Sequence, residues 1–257
     1  MEYIIKKIEN AEIIVKPFPH IIIHNFIEDH DLKNIIENIE IDNLNEIEKK
    51  YKKVHYPGAK LINEEITNRP TGIGLVYSLK DEYFNNNIEL NTILNSEDFK
   101  HVLFKKLNIS KNIDGWNVYQ INKDLNGYEI SPHPDITGKV ITYQINLSNT
   151  NILDNYELGT KFHTIKPECL KFIKELSKKK TRPWGKWEWF DKGKSIPYKQ
   201  NTFMAFAPSD ISYHSVKLEN YPQEKYQRTM LRGFIADSRL LNKKPKSQWT
   251  SGNLVNI

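Results

Sequence analysis

The stretch VITYQINLS, residues 140–148, alternates between apolar and polar side chains from residue 141 onwards. The apolar series is Ile141, Tyr143, Ile145 and Leu147, and the polar series is Thr142, Gln144 and Asn146. A period of two predicts a β-strand with one face against a core. The polar series carries neutral hydrogen-bonding groups in a chain that is 27% charged. This favours a strand that lines an enclosed polar space, although an edge strand with paired amides would have the same pattern.

Further strand-like runs lie on both sides of this stretch. They are GWNVYQIN (115–122), NTFMAFAP (201–208), ISYHSVKL (211–218) and RTMLRGFIA (228–236). One helix interrupts them, because Pro167 suits a first helical position and apolar residues follow it at helical spacing. Several strands with turns between them predict a mostly β fold, a sandwich or barrel, with helices packed outside.

The first 110 residues have a helical character. Leu32, Ile35, Ile36 and Ile39 follow the helical period, with Asp29 or Asp31 as the expected cap. Leu90, Ile93 and Leu94 repeat it, and Ser96 opens another helical stretch with Phe99, Leu103 and Leu107 on one face. Each helix has one apolar stripe, which must pack against a sheet or against other helices.

Composition excludes several classes of protein. The 257 residues are 39% hydrophobic and 27% charged, which is typical of a globular chain. The net charge is +5, and only five of the 37 basic residues are arginines, which argues against nucleic-acid binding. No apolar run reaches the ~20 residues of a membrane span. The single cysteine, Cys169, excludes an internal disulfide, and we expect a cytoplasmic protein.

A histidine and an aspartate stand two positions apart in SPHPDITGK, residues 131–139. At a strand end, His133 and Asp135 can hold one metal ion from the same side. A second histidine, His214, lies in a later strand, and Arg228 opens the last strand. Two histidines and a carboxylate are the ligand set of non-haem Fe(II) oxygenases, whereas zinc favours a closed tetrahedral set. The spacing alone does not exclude chance, because the chain has eight histidines.

Taken together, the motifs resemble the 2-oxoglutarate/Fe(II)-dependent dioxygenases of the prolyl-4-hydroxylase-like branch. The resemblance runs from about residue 17 to 237. It is carried by PFPHIIIHNFI (17–27), Tyr119, HPD (133–135), ITYQINLSN (141–149), LGTKF (158–162), NTFMAFAPSDISYHSV (201–216) and RTMLRGF (228–234). It implies a double-stranded β-helix (jelly-roll or cupin-like) core at residues 111–240, with a helical preface at 1–110 and a tail at 241–257, all in one domain.

The resemblance also implies the roles of individual residues. His133, Asp135 and His214 match the iron ligands, Arg228 matches the residue that binds the far carboxylate of 2-oxoglutarate, and Tyr119, Thr142 and Asn146 match further cosubstrate contacts. Two loops are longer than usual, one between Tyr119 and His133 and one between His214 and Arg228. The cofactors implied are Fe(II), 2-oxoglutarate and O2. The activity implied is hydroxylation of an unactivated C–H bond with release of succinate and CO2, since halogenating members usually lack the carboxylate found at Asp135.

The substrate remains open between a prolyl or other peptidyl residue and a small molecule such as an amino acid. RPWGKWEWF (182–190) suits either a clamp on the helix that follows Pro167 or a lid over substrate. His163 suits a strand position that faces the pocket or one that does not, and Arg232 suits either a second carboxylate or a surface acid. Two other classes compete with this interpretation: a non-catalytic jelly-roll module that binds sugar or protein, and a cupin enzyme of different chemistry.

Overall fold

The fold is described from a computed structural model of the chain. The structure describes residues 1–55, 72–73, 75–110, 113, 115–136, 138–148, 156–177, 185–224 and 227–239. The expected tail at 241–257 and Trp184 of the tryptophan-rich segment lie outside these ranges.

Strands of the described residues form two antiparallel sheets. In chain order they are β1 (His20–His24), β2 (Tyr51–His55), β3 (Gly72–Ile73), β4 (Leu75–Leu79), β5 (Gly115–Asp124), β6 (Glu129–His133), β7 (Lys139–Asn146), β8 (Lys161–Phe162), β9 (Lys194–Ser195), β10 (Thr202–Phe206), β11 (His214–Lys217) and β12 (Arg228–Asp237). The large sheet has the order β1-β10-β7-β12-β5-β4-β2, and the small sheet has the order β3-β6-β11-β8-β9. The two sheets face each other, and the chain passes repeatedly from one sheet to the other between successive core strands. This is the jelly-roll arrangement, as predicted.

The helices come almost entirely before the core strands. They are α1 (Tyr3–Asn10), α2 (Asp29–Ile39), α3 (Ile47–Lys50), α4 (Asp81–Asn85), α5 (Ile88–Asn95), α6 (Glu97–Lys106) and α7 (Pro167–Ser177). Ser96 caps α6 as predicted, because its hydroxyl accepts a hydrogen bond from the Phe99 N–H. The predicted cap of α2 is wrong: Glu28 holds the cap position, and Asp29 and Asp31 lie in the first turn, where their charges favour the helix dipole.

The large sheet has two different faces. Its outer face packs against the N-terminal helices in one apolar cluster that includes Tyr143, Phe203 and Leu231. The Phe99 ring of α6 lies 5.4 Å from the Tyr143 ring. Gly233 allows this packing, because a Cβ at that position would lie 2.1 Å from the Tyr143 ring. The inner face meets the small sheet, as the 5.0 Å separation between the rings of Phe206 and His214 shows.

The predicted division into helices first and strands later is only partly right. β1, β2, β3 and β4 all come before residue 110, and three of them extend the large sheet. The apolar run HIIIH at β1 pairs along its whole length with β10. No helix within the described ranges is long and apolar enough to cross a membrane.

Candidate metal centre

Two histidines from neighbouring strands of the small sheet face each other. His133 ends β6 and His214 begins β11, and the two residues are direct partners in the antiparallel register. Partners in such a pair project from the same face of the sheet, so both imidazoles point towards the large sheet. Their ring centroids are 4.2 Å apart. Strand pairing therefore brings together two residues that are 81 positions apart in the sequence.

Asp135 completes the group from the turn after β6. Its backbone has a φ of 63°, the left-handed region that non-glycine residues seldom occupy, and this turns the carboxylate back towards the histidines. Oδ2 accepts a hydrogen bond of 2.7 Å from the Thr142 hydroxyl and lies 3.7 Å from Nε2 of His214. Oδ1 lies 2.6 Å from Nζ of Lys139. The carboxylate is thus held in one orientation by groups on β7.

Hydrogen bonds to the backbone fix the tautomers of both imidazoles. Nδ1 of His133 lies 2.9 Å from the carbonyl oxygen of Ser131, and Nδ1 of His214 lies 3.0 Å from that of Ser212. Because a carbonyl oxygen can only accept, Nδ1 is the protonated nitrogen in each ring and Nε2 keeps its lone pair. A metal-binding histidine needs this arrangement, with its other nitrogen bonded to a carbonyl or carboxylate.

The charge states of the group also suit a metal ion. Burial, followed by the neighbouring His214, lowers the pKa of His133 to about 3. Burial likewise lowers the pKa of His214 below its ordinary value. For Asp135, burial acts to raise the pKa, but Lys139 and the two histidines outweigh it and hold the pKa well below its usual range. At neutral pH the group therefore presents two neutral imidazoles and one carboxylate.

The three side chains fit a divalent metal ion. Each offers a ligand atom, and these atoms all lie within 4.8 Å of one another. Ligands about 2.1 Å from an ion and at right angles to each other are about 3 Å apart, so small side-chain movements would close the set. Two nitrogens and one oxygen on one side suit Fe(II) and leave further coordination positions open. It is the one such group of histidine, cysteine and acidic side chains in the described part of the chain.

Two of the residues expected to contact a cosubstrate, Thr142 and Asn146, lie on the inner face of the large sheet. Thr142 lies on this face beside Asp135, and Asn146 lies further along the same strand, where its amide donates a 3.1 Å hydrogen bond to the carbonyl of Lys199. Both side chains are buried. The polar series of β7 therefore faces the interior between the sheets, which agrees with the interpretation of its alternation.

Tyr119 lies elsewhere. Its side chain is on the outer face of β5, where its ring is 5.4 Å from that of Phe84. Its hydroxyl accepts a 2.5 Å hydrogen bond from Asn95 of α5. Burial raises the pKa of this hydroxyl to about 12. The structure thus does not bring Tyr119 to His133, Asp135 and His214, and its position does not support the expected cosubstrate contact.

Arg228 lies on the inner face, and its guanidinium is fully buried. Its side chain is 1% exposed and forms a salt bridge with Asp124 of β5, which is 0% exposed. Nε donates a 2.7 Å hydrogen bond to the carbonyl of Leu158, and the guanidinium lies 5.0 Å from the centre of the Tyr198 ring. Arg232 forms a salt bridge with the same oxygen of Asp124 and is 13% exposed. Within the described part of the chain, Arg232 therefore pairs with a buried acid.

Lys139 and Asp124 are site residues that the sequence did not single out. Lys139 is four positions after Asp135, a spacing that was visible, although only the turn between them brings the charges together. Asp124 belongs to the inner series of β5 with Gln120 and Asn122, one residue out of phase with Tyr119. The series could have been found only by knowing which face of β5 is turned inwards.

His163 and the tryptophan-rich segment lie on the other side of the small sheet. Nε2 of His163 is 2.8 Å from the Ser215 hydroxyl, and its ring lies 5.4 Å from that of Phe190. Trp189 and Phe190 cluster with Ile173 of α7. For its described part, residues 185–190, the segment is thus the predicted clamp on the helix after Pro167, and His163 packs beneath it.

No protein-family model and no curated protein matches the sequence. Among solved structures, the chain is similar to a prolyl hydroxylase from Trichoplax adhaerens in complex with a hypoxia inducible factor peptide fragment. The identity is 13% and the TM-score 0.49, over 95% of this chain and 92% of that chain. A prolyl-4-hydroxylase from Pseudomonas putida is 7% identical, with a TM-score of 0.49 over 91% and 97% of the two chains. A 2OG-Fe(II) oxygenase family oxidoreductase from Burkholderia pseudomallei is 11% identical, with a TM-score of 0.47 over 85% of each chain.

Proposed function

We propose that this protein is an Fe(II)- and 2-oxoglutarate-dependent dioxygenase that hydroxylates an unactivated C–H bond and releases succinate and CO2. The observation that carries the proposal is the convergence of His133, Asp135 and His214 on one face of the small sheet, with Nδ1 of both histidines bonded to a backbone carbonyl. Zinc sites of the structural kind use four protein ligands, whereas three ligands on one side leave room for a chelating cosubstrate.

Each ligand residue has a defined task in this proposal. His133 and His214 would donate neutral Nε2 atoms, and their low pKa values mean that no proton must leave them at neutral pH. Asp135 would supply the single negative charge. Thr142 and Lys139 orient its carboxylate by two hydrogen bonds, as hydrogen-bond partners generally do for metal ligands. When bound, iron together with the keto acid would supply the oxidising chemistry.

The interior next to this group suits an elongated anion. Thr142 and Asn146 line it from β7, and Arg228 lies further along the same face on β12. Arginine binds a carboxylate through two parallel, charge-assisted hydrogen bonds, so Arg228 is the proposed anchor for the far carboxylate of 2-oxoglutarate. The neutral amide and hydroxyl would satisfy the remaining polar atoms of the cosubstrate without adding charge.

The substrate is proposed to be a peptide or a small molecule that approaches the metal group from its exposed side. Ile136 and Ile211 are exposed apolar side chains in the segments next to Asp135 and His214. Phe234 lies on the inner face beneath Lys139, whose Nζ is 4.9 Å from the ring centre. Apolar groups in the segments next to the metal group would favour a substrate that presents an aliphatic C–H bond, such as a prolyl ring or an aliphatic side chain.

A spectroscopic titration tests the proposal. Apoprotein is loaded with Fe(II) without oxygen and then mixed with 2-oxoglutarate, and the expected result is the weak visible charge-transfer band of a keto acid chelated to iron. Metal uptake without this band would support a cupin enzyme of other chemistry, and absence of metal uptake would support a non-catalytic binding module. Succinate release is then measured against a panel of peptides and amino acids, which identifies the substrate class.

A further inference from the structure

Two arginines on one face of β12 share a single carboxylate. Arg228 and Arg232 both form a salt bridge with Oδ2 of Asp124, which lies opposite Arg228 in the β5–β12 register. The three groups lie between the sheets and not at the surface. Charged groups seldom lie in a protein interior without a partner, so two guanidiniums held together by one carboxylate form an unusual feature that needs an explanation.

The register places Arg232 between the metal group and Arg228. Thr142, which bonds Asp135, stands opposite Phe234. The next pairs along the two strands are Gln144 with Arg232 and Asn146 with Met230. Consecutive positions on one face of a strand are about 7 Å apart. Phe234 therefore marks the part of β12 nearest the metal group. Counted along the same face of β12, Arg232 is one position from Phe234, and Arg228 is three positions from it. The Arg228 side chain reaches back, since one of its terminal nitrogens lies 3.3 Å from the sulfur of Met230.

A keto acid bound at the metal would end near Arg232. A chain of five carbons spans about 5 Å between its terminal carbons. With a metal–ligand bond of about 2 Å added, the far carboxylate would lie about 7 Å from the ion, in the direction of the Arg232 and Arg228 guanidiniums, which meet at Asp124. Arg232 is also the more accessible of the two guanidiniums, with 13% of its side chain exposed against 1% for Arg228.

We propose that Arg232 is a second carboxylate-binding residue in this site, and that Asp124 holds the guanidiniums of Arg228 and Arg232 side by side to receive one carboxylate. The inference rests on the proposed function and deepens it, since it assigns to the cosubstrate site a residue that the sequence left undecided. Two further groups support the geometry. The Arg232 guanidinium lies 5.1 Å from the centre of the Tyr128 ring, and Nε lies 3.2 Å from the sulfur of Met230. These contacts hold the planar fork in one orientation.

The test compares two keto acids that differ only at the far end. 2-Oxoglutarate carries the far carboxylate, and 2-oxopentanoate has the same chain length without it. Their Kd values are measured by calorimetry on protein loaded with Mn(II), which does not turn over. In the Arg232→Gln variant we expect the affinity for 2-oxoglutarate to fall at least about tenfold, because a charge-assisted hydrogen bond is lost. The affinity for 2-oxopentanoate should change by less than about twofold.

The control and the opposing outcomes are defined by the same measurement. Arg239→Gln removes an exposed arginine that pairs with Asp237 at the end of β12, and it should leave both affinities unchanged. Equal 2-oxoglutarate affinity in wild type and in a folded, metal-binding Arg232→Gln variant would overturn the role of Arg232 and leave the proposed function intact. Failure of the Mn(II)-loaded wild type to bind either keto acid would instead overturn the proposed function, and this inference with it.

The fold is expected to tolerate the substitution, because Asp124 keeps Arg228 as its partner. If Arg232→Gln does not fold, Arg232→Lys replaces it. Lysine keeps the positive charge but loses the two-pronged geometry, so an intermediate loss of 2-oxoglutarate affinity is expected. If the ratio of the Kd values for 2-oxoglutarate and 2-oxopentanoate is the same in Arg232→Lys as in wild type, direct binding of the carboxylate by the Arg232 guanidinium is contradicted.

Discussion

Nε2 of His214 lies 3.7 Å from Oδ2 of Asp135, although the two residues are 79 positions apart in the sequence. The contact depends on the pairing of β11 with β6 and on the left-handed backbone of Asp135, so it is a product of the jelly-roll topology. Once this distance exists, a divalent ion needs only His133, the cross-strand partner of His214, to gain a third ligand.

Replacement of His214 by alanine is expected to abolish stoichiometric metal binding. The variant keeps only two of the three ligands and leaves Asp135 facing an empty space on its metal side. The measurement is metal content after dialysis against Fe(II) without oxygen, or against Co(II), compared with wild type. His30→Ala is the matched control, because His30 is a histidine with 85% of its side chain exposed. Full metal content in His214→Ala would refute the proposed ligand set.

Lys139 is expected to stabilise the metal-free protein more than the metal-bound protein. Its ammonium is the nearest positive charge to the buried Asp135 carboxylate when no ion is bound. In Lys139→Met the apoprotein should lose on the order of 2 kcal/mol, because a charge-assisted hydrogen bond to a buried group disappears. A bound ion would supply the missing positive charge. The rise in Tm on addition of Mn(II) should therefore be larger in Lys139→Met than in wild type.

Lys161→Met provides the control for this comparison. Lys161 also pairs with an acid four residues away, Glu157, but that carboxylate is exposed. Its loss should change Tm little and should leave the increment caused by Mn(II) unchanged. An equal rise in Tm on addition of Mn(II) in wild type and in Lys139→Met would mean that the contact between Lys139 and Asp135 persists unaltered when metal is bound.

Tyr119 and Asn146 should behave differently towards 2-oxoglutarate, although the family resemblance gives both a cosubstrate contact. Tyr119 is on the helix side of the large sheet, so Tyr119→Phe should cost about 1 kcal/mol of stability through the lost bond to Asn95, and should change 2-oxoglutarate affinity by less than about twofold. Asn146 is on the inner face, so Asn146→Ala should weaken 2-oxoglutarate roughly fivefold. Titration of both Mn(II)-loaded variants with 2-oxoglutarate checks this. A larger loss of affinity in Tyr119→Phe than in Asn146→Ala would contradict the assignment of Tyr119 to the outer face and Asn146 to the inner face.

The sequence predicted the face of β7 but not that of β5, for a physical reason. β7 has one apolar and one polar series, so its alternation identifies the inward side. β5 is buried on both faces over most of its length, and a strand covered on both sides carries no such contrast. Tyr119, which the family resemblance singled out, is therefore one residue out of phase with the inward side chains of Gln120 and Asn122.

The proximity of His133 and Asp135 could be predicted because strand geometry is local, whereas only the family resemblance joined His214 to them. His133 and Asp135 are close in sequence, and a strand end with a turn fixes their relation within a few residues. The pairing of Arg228 and Arg232 with Asp124 could not be predicted, because it depends on which residues of β5 and β12 stand opposite each other. The four strands before residue 110 were missed for a similar reason, since a short apolar run such as HIIIH does not distinguish a strand from a buried helix.

Lys123 is a buried lysine on the outer face of β5. Its side chain is 3% exposed, donates a 2.7 Å hydrogen bond to the Thr229 hydroxyl and lies 5.2 Å from the centre of the Tyr51 ring. Burial lowers its pKa from 10.5 to about 7. Between pH 7 and 10.5 the unfolded chain binds a proton that the folded chain does not, so this group makes the free energy of unfolding rise with pH.

Comparison of wild type with Lys123→Met isolates this effect, because other titrating groups cancel in the difference. From pH 7 to pH 10 the free energy of unfolding of wild type should increase relative to the variant, by up to roughly 1.4 kcal/mol per pH unit. Urea denaturation at several pH values measures it. Lys33→Met, which replaces a lysine with 77% of its side chain exposed, should show no such trend. A constant difference between wild type and Lys123→Met across this range would mean that Lys123 stays charged inside the fold.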